Sequence, residues 1–193
     1  MRHTFTLDTN CLLAVSEQRD DAPHIRALVQ AHRSGHVSVA IAAISASERQ
    51  RNGKMLDNFS EFTDRLASLD LADLPLVLPM CYWDVMYWDA CVEATPEQAE
   101  LEVRIQSILF PTVPCAWPEY CKRYKLNPEN SPLDKKWKNA KCDVQAFWCH
   151  AVNRHKVFVT TDKNFHRATK KPKLLALAPG SIVFPHEAAR LVT

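Results

Sequence analysis

The 193-residue chain lacks any apolar run long enough to suggest a membrane span. No segment approaches the ~20 uninterrupted apolar residues that a spanning helix needs. No signal peptide is visible either, because Met1-Arg2-His3-Thr4 leads directly into an apolar strand. Internal repeats and low-complexity tracts are also missing. We therefore expect a single domain over residues 1–193, located in the cytoplasm and without a membrane partner.

The seven cysteines include no Cys-x-x-Cys pair, which argues against the common zinc and thiol-redox motifs. Their odd number and their positions in hydrophobic segments are typical of reduced, buried thiols in a cytosolic protein. The net charge of +2 is too small to indicate nucleic-acid binding by itself. The distribution of the charges is therefore more informative than their sum.

Short apolar, β-branched segments alternate with segments of helical character along the chain. The predicted strands are residues 4–8, 37–41, 76–78, 157–160 and 181–184. Helices are predicted between them, including 84–93 and 95–110, the latter with a capping box of Thr95 and Gln98. This alternation predicts an α/β fold: a three-layer α/β/α sandwich around a central, mainly parallel sheet of about five strands.

Residues 111–141 differ from the rest because they combine five prolines, seven basic residues and four aromatics. We expect a long excursion with limited regular structure. Its cations and aromatics either contact phosphates and unpaired bases or form a solvated loop anchored by its aromatic rings. The sequence leaves both interpretations open.

Four acidic residues stand at predicted strand–helix junctions. Asp8 closes the first strand, Glu48 lies on the first turn of a helix after the second, Asp143 opens an amphipathic helix, and Asp162 closes the strand 157–160. Ligands of parallel α/β sheets bind beyond the carboxyl ends of the strands. At ~4 Å and an effective dielectric of ~20, each pair of like charges there costs on the order of 4 kcal/mol. One or two Mg²⁺ or Mn²⁺ ions would relieve that repulsion, which indicates metal-assisted phosphodiester hydrolysis.

Each acid also has a purely structural interpretation. Ser45 and Glu48 have the spacing of a capping box. Asp143 could be an acid favoured by the helix dipole in a first turn. Asp8 and Asp162 could be turn or N-cap residues. The conjunction of all four favours a shared site.

The ordered set of motifs resembles the PIN domain, the fold of many prokaryotic toxin ribonucleases and of several RNA-processing nucleases. The matching segments are Leu7-Asp8-Thr9-Asn10, Ser45-Ala46-Ser47-Glu48, Asp143-Val144-Gln145-Ala146, Val159-Thr160-Thr161-Asp162-Lys163-Asn164-Phe165 and Ile182-Val183-Phe184-Pro185-His186-Glu187. The resemblance covers both ends of the chain. Residues 52–140 form a helical and loop insertion that is atypical of the family.

The resemblance implies an endoribonuclease whose catalytic and metal-binding residues are Asp8, Glu48, Asp143 and Asp162. Thr160 matches a hydroxyl position of the family, and Asn164 matches a variable polar one. It also implies RNA as the substrate and, for toxin members, an antitoxin protein that covers the acidic pocket.

Several further residues are candidates for supporting or substrate-binding roles. Asn10 either caps the first helix or hydrogen-bonds to Asp8. The basic residues close to the proposed site are Lys138, Lys141, Lys163 and Arg167. We expect these four to contact the RNA backbone.

The sequence leaves open two competing functions and the formation of a homodimer. A catalytically silent PIN-like scaffold that binds RNA or protein would keep the fold without turnover. A phosphatase of the haloacid-dehalogenase type would need a second Asp where this chain has Asn10. The aromatic segments Cys81-Tyr82-Trp83 and Met86-Tyr87-Trp88 either form a homodimer surface or pack in the core.

Overall fold

A computed structural model of the chain describes residues 3–48 and 56–192. In this part of the chain the strands are β1 Thr4–Leu7, β2 Ser38–Ala42, β3 Leu76–Val77, β4 Val157–Val159 and β5 Ser181–Val183. They form one sheet of order β3-β2-β1-β4-β5 in which every neighbouring pair is parallel. The predicted five-stranded parallel sheet is confirmed.

Helices follow the strands on both sides of the sheet. They are α1 Thr9–Ser16, α2 Ala22–Arg33, α3 Phe59–Ser68, α4 Pro96–Leu109, α5 Trp117–Tyr124, α6 Lys135–Val152, α7 Lys163–His166, α8 Lys171–Leu177 and α9 Pro185–Ala189. Two 3₁₀ turns span Ala43–Ser47 and Trp88–Ala90. None of the helices described is both long and apolar enough to cross a membrane.

Alternating side chains of the central strands bury both faces of the sheet. Phe5 and Leu7 of β1 join one core cluster with residues of α1, α2 and α3. Phe158 of β4 joins the other cluster, where it meets Phe147 of α6 edge to face at 5.3 Å between ring centroids. Since period-2 alternation places successive side chains on opposite faces, each face requires its own helical layer. The predicted three-layer α/β/α sandwich is confirmed.

The strand order reverses next to β1. The chain first adds β2 and β3 on one side of β1 and later adds β4 and β5 on the other. A crevice therefore opens beyond the carboxyl ends of β1 and β4, which is where ligands of open α/β sheets bind. Asp8 follows β1 and Asp162 follows β4, so both acids lie at this crevice.

The segment 111–141 has more regular structure than the sequence predicted. It contains α5, and α6 begins at Lys135 rather than at Asp143. Trp117, Tyr120 and Trp137 are buried in a third apolar cluster, with Trp117 and Trp137 in ring contact at 5.2 Å. The aromatics therefore anchor this segment to the body of the protein.

Within the predicted insertion 52–140, several elements belong to the central fold. Strand β3 extends the sheet, and α4 packs along α6. The capping box of Thr95 and Gln98 at the start of α4 is confirmed. The predicted helix 84–93 is wrong, because only the 3₁₀ turn Trp88–Ala90 forms there. The sequence also predicts a helix break at Gly53, a position that lies outside the described residues.

The prediction of uniformly reduced thiols is wrong for one pair. Cys81 and Cys91 form a disulfide across a sequence separation of 10 residues. This bond closes the loop that carries Trp83 and Trp88. The buried cysteines Cys11, Cys121, Cys142 and Cys149 are free, as expected, and the half-buried Cys115 is also free.

Candidate active site at the carboxyl edge of the sheet

Asp8 is held by three donors at the start of α1. It is 3% exposed and is the N-cap of α1, where its Oδ1 accepts a hydrogen bond from the Thr9 amide at 2.8 Å. Its Oδ2 accepts from the hydroxyl of Thr160 at 2.6 Å and from the side-chain amide of Asn10 at 3.3 Å. The N-cap role and the site role therefore coexist in one side chain. Of the two roles considered for Asn10, the structure contains the hydrogen bond to Asp8.

Thr160 joins Asp8 to Asp162 across the strand-order reversal. Its hydroxyl oxygen accepts from the Asp162 amide at 3.0 Å while the hydroxyl proton is donated to Asp8. Asp162 is itself the N-cap of α7 and accepts from the Asn164 amide at 2.8 Å. Since Thr160 and Asp8 are both buried, this link fixes the two strand ends relative to each other.

Glu48 reaches the same edge through Thr9. The Thr9 hydroxyl donates to Glu48 Oε1 at 2.6 Å and lies 2.7 Å from the hydroxyl of Ser45. Because Thr9 has one hydroxyl proton, Ser45 is the donor in the second bond. The capping box of Ser45 and Glu48 does not form, since Ser45 lies inside the 3₁₀ turn Ala43–Ser47 and Glu48 ends that turn in extended conformation. The predicted location of Glu48 in a first helical turn is therefore wrong.

Asp143 lies in the middle of α6, not at its start. The helix begins one residue after Asp134, the N-cap, whose carboxylate accepts from the amides of Lys136 and Trp137 at 2.8 and 3.2 Å. The interpretation of Asp143 as an acid of a first helical turn is therefore wrong. Among the described residues, no side chain or amide donates a hydrogen bond to the Asp143 carboxyl. The charges of the other three acids therefore act on this carboxyl without an opposing hydrogen bond.

The four carboxyls influence one another electrostatically. Burial, followed by the charges of Asp8, Glu48 and Asp162, raises the pKa of Asp143 well above its usual range. Burial and then the charge of Asp8 raise the pKa of Glu48 to about 8, although the Thr9 hydrogen bond opposes this.

Burial also raises the pKa of Asp8, against the hydrogen bonds from Thr160, Thr9 and Asn10. The charge of Asp162 adds to that increase. The sheet therefore gathers negative charge at a buried edge without a described basic partner hydrogen-bonded to Asp8 or Asp143.

The donor types fit a hard divalent cation. Carboxylate oxygens are preferred by Mg²⁺ and Mn²⁺, and a cation would offset the charge that raises these pKa values. Within residues 3–48 and 56–192, however, no three His, Cys, Asp or Glu side chains stand close enough to hold an ion. Oxygen atoms of Asp8 and Glu48 instead accept hydrogen bonds from hydroxyl and amide donors. The carboxylate oxygens are suitable ligands for such an ion, but the four carboxyls would have to move closer together to bind it.

Asn164 lies on the far side of α7 from these carboxyls. Its side-chain oxygen accepts from Lys170 Nζ at 2.6 Å, and its side-chain nitrogen lies 3.5 Å from the carbonyl oxygen of Leu109. Lys170 also donates to that carbonyl at 2.5 Å. The Asn164 side chain therefore caps the end of α4, and only its backbone amide contacts the acidic site.

Three of the four predicted substrate-binding cations flank the acidic edge. Lys163 and Arg167 are exposed on and just after α7, next to Asp162. Lys138 lines a cavity that also contacts Glu48. Positive side chains therefore stand on two sides of the carboxylates.

Lys141 does not belong to this group. It is 1% exposed, and its ammonium forms a 2.8 Å ion pair with Glu102 of α4. Gln145 donates to the same Glu102 oxygen at 2.7 Å, and the rings of Tyr82 and Trp137 lie within 4.5 and 5.3 Å of the ammonium. The predicted substrate contact of Lys141 is wrong, because this cation forms an ion pair with Glu102 that joins α4 to α6.

The hydrogen bonds that link Thr9, Ser45 and Glu48 were not predicted from the sequence. The two residues are 36 positions apart, and their contact depends on β1 and β2 pairing side by side. Thr9 had a usable signal, since it directly follows an acid in a motif resembling that of a nuclease family. Ser45 had none beyond its spacing to Glu48.

Comparison with known proteins adds no relative to this picture. No family model, no curated protein and no solved structure matches the chain.

Proposed function

We propose that the protein is a metal-dependent endoribonuclease of the PIN type. The observation that carries the proposal is that Asp8, Glu48, Asp143 and Asp162 act on one another electrostatically beside the crevice where the strand order reverses, with Thr160 linking Asp8 to Asp162. Asp8 and Asp162 would be the principal ligands of one or two Mg²⁺ or Mn²⁺ ions, with Asp143 and Glu48 completing the set. The bound metal would supply neutralisation of the phosphate and a more acidic water.

The protein's own residues would hold and orient this set. Thr160 fixes Asp8 relative to Asp162, and Thr9 fixes Glu48, each through a 2.6 Å hydrogen bond. Lys163, Arg167 and Lys138 would draw the RNA backbone across the acidic edge from both sides. The buried position of Asp8 limits water around the reacting phosphate, which strengthens every charge interaction there.

Cleavage of single-stranded RNA with Mg²⁺, Mn²⁺ or EDTA tests the proposal directly. We expect cuts that require the metal and that slow by on the order of 10²–10³-fold in Asp8→Asn and Asp162→Asn, because each removes an electrostatic contact to the reacting groups. Asp64→Asn is the matched control, since Asp64 is an exposed acid of α3. Equal cleavage by all four proteins would refute the site, as would cleavage that continues in EDTA.

A second candidate is a PIN-like scaffold that binds RNA or protein without cutting. It is favoured by the hydroxyl hydrogen bonds that occupy Asp8 and Glu48 and by the spacing of the acids within the described chain. The dependence of the melting temperature on Mn²⁺ distinguishes the nuclease from the scaffold. A nuclease should gain thermal stability from Mn²⁺ through these acids, whereas the scaffold should melt at one temperature with or without the ion.

The proposal extends to the biological setting. The nuclease would act on cytoplasmic RNA. It would be the toxin of a toxin–antitoxin pair, whose antitoxin would insert a basic residue among the carboxylates.

A further inference from the structure

A large cavity opens beside Glu48. It has a volume of about 600 Å³, which is within the range of small-molecule pockets. Its walls come from the segment around Trp83, from the start of α5, from the prolines after it and from the first turns of α6. Its lining includes the rings of Tyr82 and Trp83, the ammonium groups of Lys135 and Lys138 and the carboxyls of Glu48, Asp84 and Glu129.

The cavity is continuous with the acidic edge. Glu48 belongs both to the cavity wall and to the Thr9 hydrogen bond that ties it to the end of β1. Cys142, another wall residue, directly precedes Asp143 on α6. A ligand group inside the cavity would therefore lie beside Glu48, whereas Asp143 lines a neighbouring cavity that shares Lys135 and Asn139 with this one.

One wall presents an aromatic ring to solvent on a fixed support. Trp83 is 69% exposed, although large apolar side chains are usually buried. Its neighbour Tyr82 is packed against Trp137 at 5.5 Å and accepts a hydrogen bond from the Trp117 amide at 3.3 Å. The disulfide of Cys81 closes the same loop. An exposed ring on a rigid base is suited to stacking with a planar ligand.

The cavity lining also contains cations. Lys135 and Lys138 are three residues apart at the start of α6, and both line the cavity. Residues three apart lie on the same face of a helix, one turn from each other. A planar group on Trp83 with an anionic group near these two lysines is the arrangement of a nucleotide, with its base and its phosphate.

We propose that this cavity binds the base of an unpaired nucleotide that neighbours the scissile phosphate, stacked on Trp83 and with its phosphate at Lys135 and Lys138. The inference rests on the proposed nuclease function, because the acidic edge defines which phosphate is cut. A base inside a duplex is already stacked and paired, so a duplex cannot offer it to the cavity.

Binding is best measured with Asp8→Asn protein in Mg²⁺, so that the RNA stays intact. The probes are a fluorescent single-stranded 12-nucleotide RNA and the same strand annealed to its complement. We expect the single strand to bind more tightly than the duplex. Adding Trp83→Ala should weaken single-strand binding on the order of 5–100-fold, the range found when one stacking side chain is truncated. Duplex binding should be unchanged.

Two variants separate stacking from general damage to the loop. Trp83→Phe keeps an aromatic face and should restore most of the single-strand affinity. Tyr124→Ala removes another exposed ring, 43%, that does not line the cavity, and it should bind like the parent. Unchanged single-strand affinity in Trp83→Ala, or equal affinity of the parent for single strand and duplex, would overturn the proposal. No RNA binding by the parent would overturn it as well.

The outcome for the cavity is distinguishable from the outcome for the nuclease. Metal-dependent cleavage that is insensitive to Trp83→Ala would leave the nuclease and remove the cavity from its substrate site. Single-strand binding that depends on Trp83, without any metal-dependent cleavage by the natural chain, would leave an RNA-binding cavity and remove the nuclease.

Discussion

At the scale of single residues, Asp143 is the acid with the most to gain from a cation. Its carboxyl is partly buried on α6 beside three other acids, and burial together with their charges raises its pKa well above the usual range. A carboxyl in that position opposes folding when it is ionised and does not do so when it is protonated. With a raised folded-state pKa, the destabilisation grows as pH rises and is relieved as pH falls.

We therefore predict that Asp143→Asn raises the melting temperature in EDTA at neutral pH. Each 1 kcal/mol of repulsion removed should add about 2–4 °C for a chain of this size. The same variant should lose the stabilisation that Mn²⁺ gives to the natural chain. Thermal melting with and without Mn²⁺ measures both effects, and Asp64→Asn should change neither. A lower melting temperature of Asp143→Asn in EDTA would show that this carboxylate is favourably bound.

The sequence predicts which acids lie at the strand ends better than it predicts which side chains contact one another. Asp8 and Asp162 were predictable because both end a strand, and strand ends follow from local apolar patterning. Lys141 was not predictable, because its position in a basic run looks the same whether the helix turns it outward or inward. Only the packing of α4 on α6 decides that the ammonium meets Glu102.

At the scale of elements, the contact between α4 and α6 contains a buried polar network. Lys141, Glu102 and Gln145 are all buried, and the side-chain amide of Gln145 also accepts from the Met80 amide at 3.0 Å. Burial alone lowers the pKa of Lys141, but the nearby Glu102 and Cys115 outweigh it, so the pKa is raised. The ammonium thus stays charged in the core because its partners are there.

Lys141→Met should be strongly destabilising, because it leaves Glu102 buried without its cation. Removal of one partner of a buried pair costs about 3–5 kcal/mol. The double variant Lys141→Met, Glu102→Leu should recover most of that loss. Urea unfolding measures the free energies, with Arg33→Ala as a control for a solvent-screened pair with Asp70 and Asp73, where a much smaller loss is expected. Equal losses in the single and double variants would contradict the prediction.

The loop between Cys81 and Cys91 is the element whose covalent state matters most. The disulfide spans the residues that carry Trp83, and a cross-link over such a short loop contributes roughly 2–3 kcal/mol by restricting the unfolded chain. A reducing agent should lower the melting temperature of the natural chain and weaken its binding of single-stranded RNA. Neither property of the double variant Cys81→Ser, Cys91→Ser should respond to the reducing agent. Identical behaviour of the natural chain in oxidising and reducing buffer would contradict this expectation.

At the scale of the whole molecule, the architecture was more predictable than the element boundaries. Alternating strands and helices specify a parallel sheet with helices on both faces, and short apolar strands identify its members. Helix starts inside 111–141 were not predictable, since the prolines there signal breaks while the buried Trp117 and Trp137 hold the helices in place. Tertiary packing of aromatic side chains overrode the local signal.

The pairing of β1 with β4 has a consequence for synthesis on the ribosome. Asp8 is among the first residues made, yet its hydrogen-bond partner Thr160 is 152 residues further along the chain. Until that part of the polypeptide has emerged, β1 can pair with β2 but lacks β4, and Asp8 lacks both Thr160 and Asp162. The proposed nuclease would therefore stay inert toward the message being translated until β4 has been made.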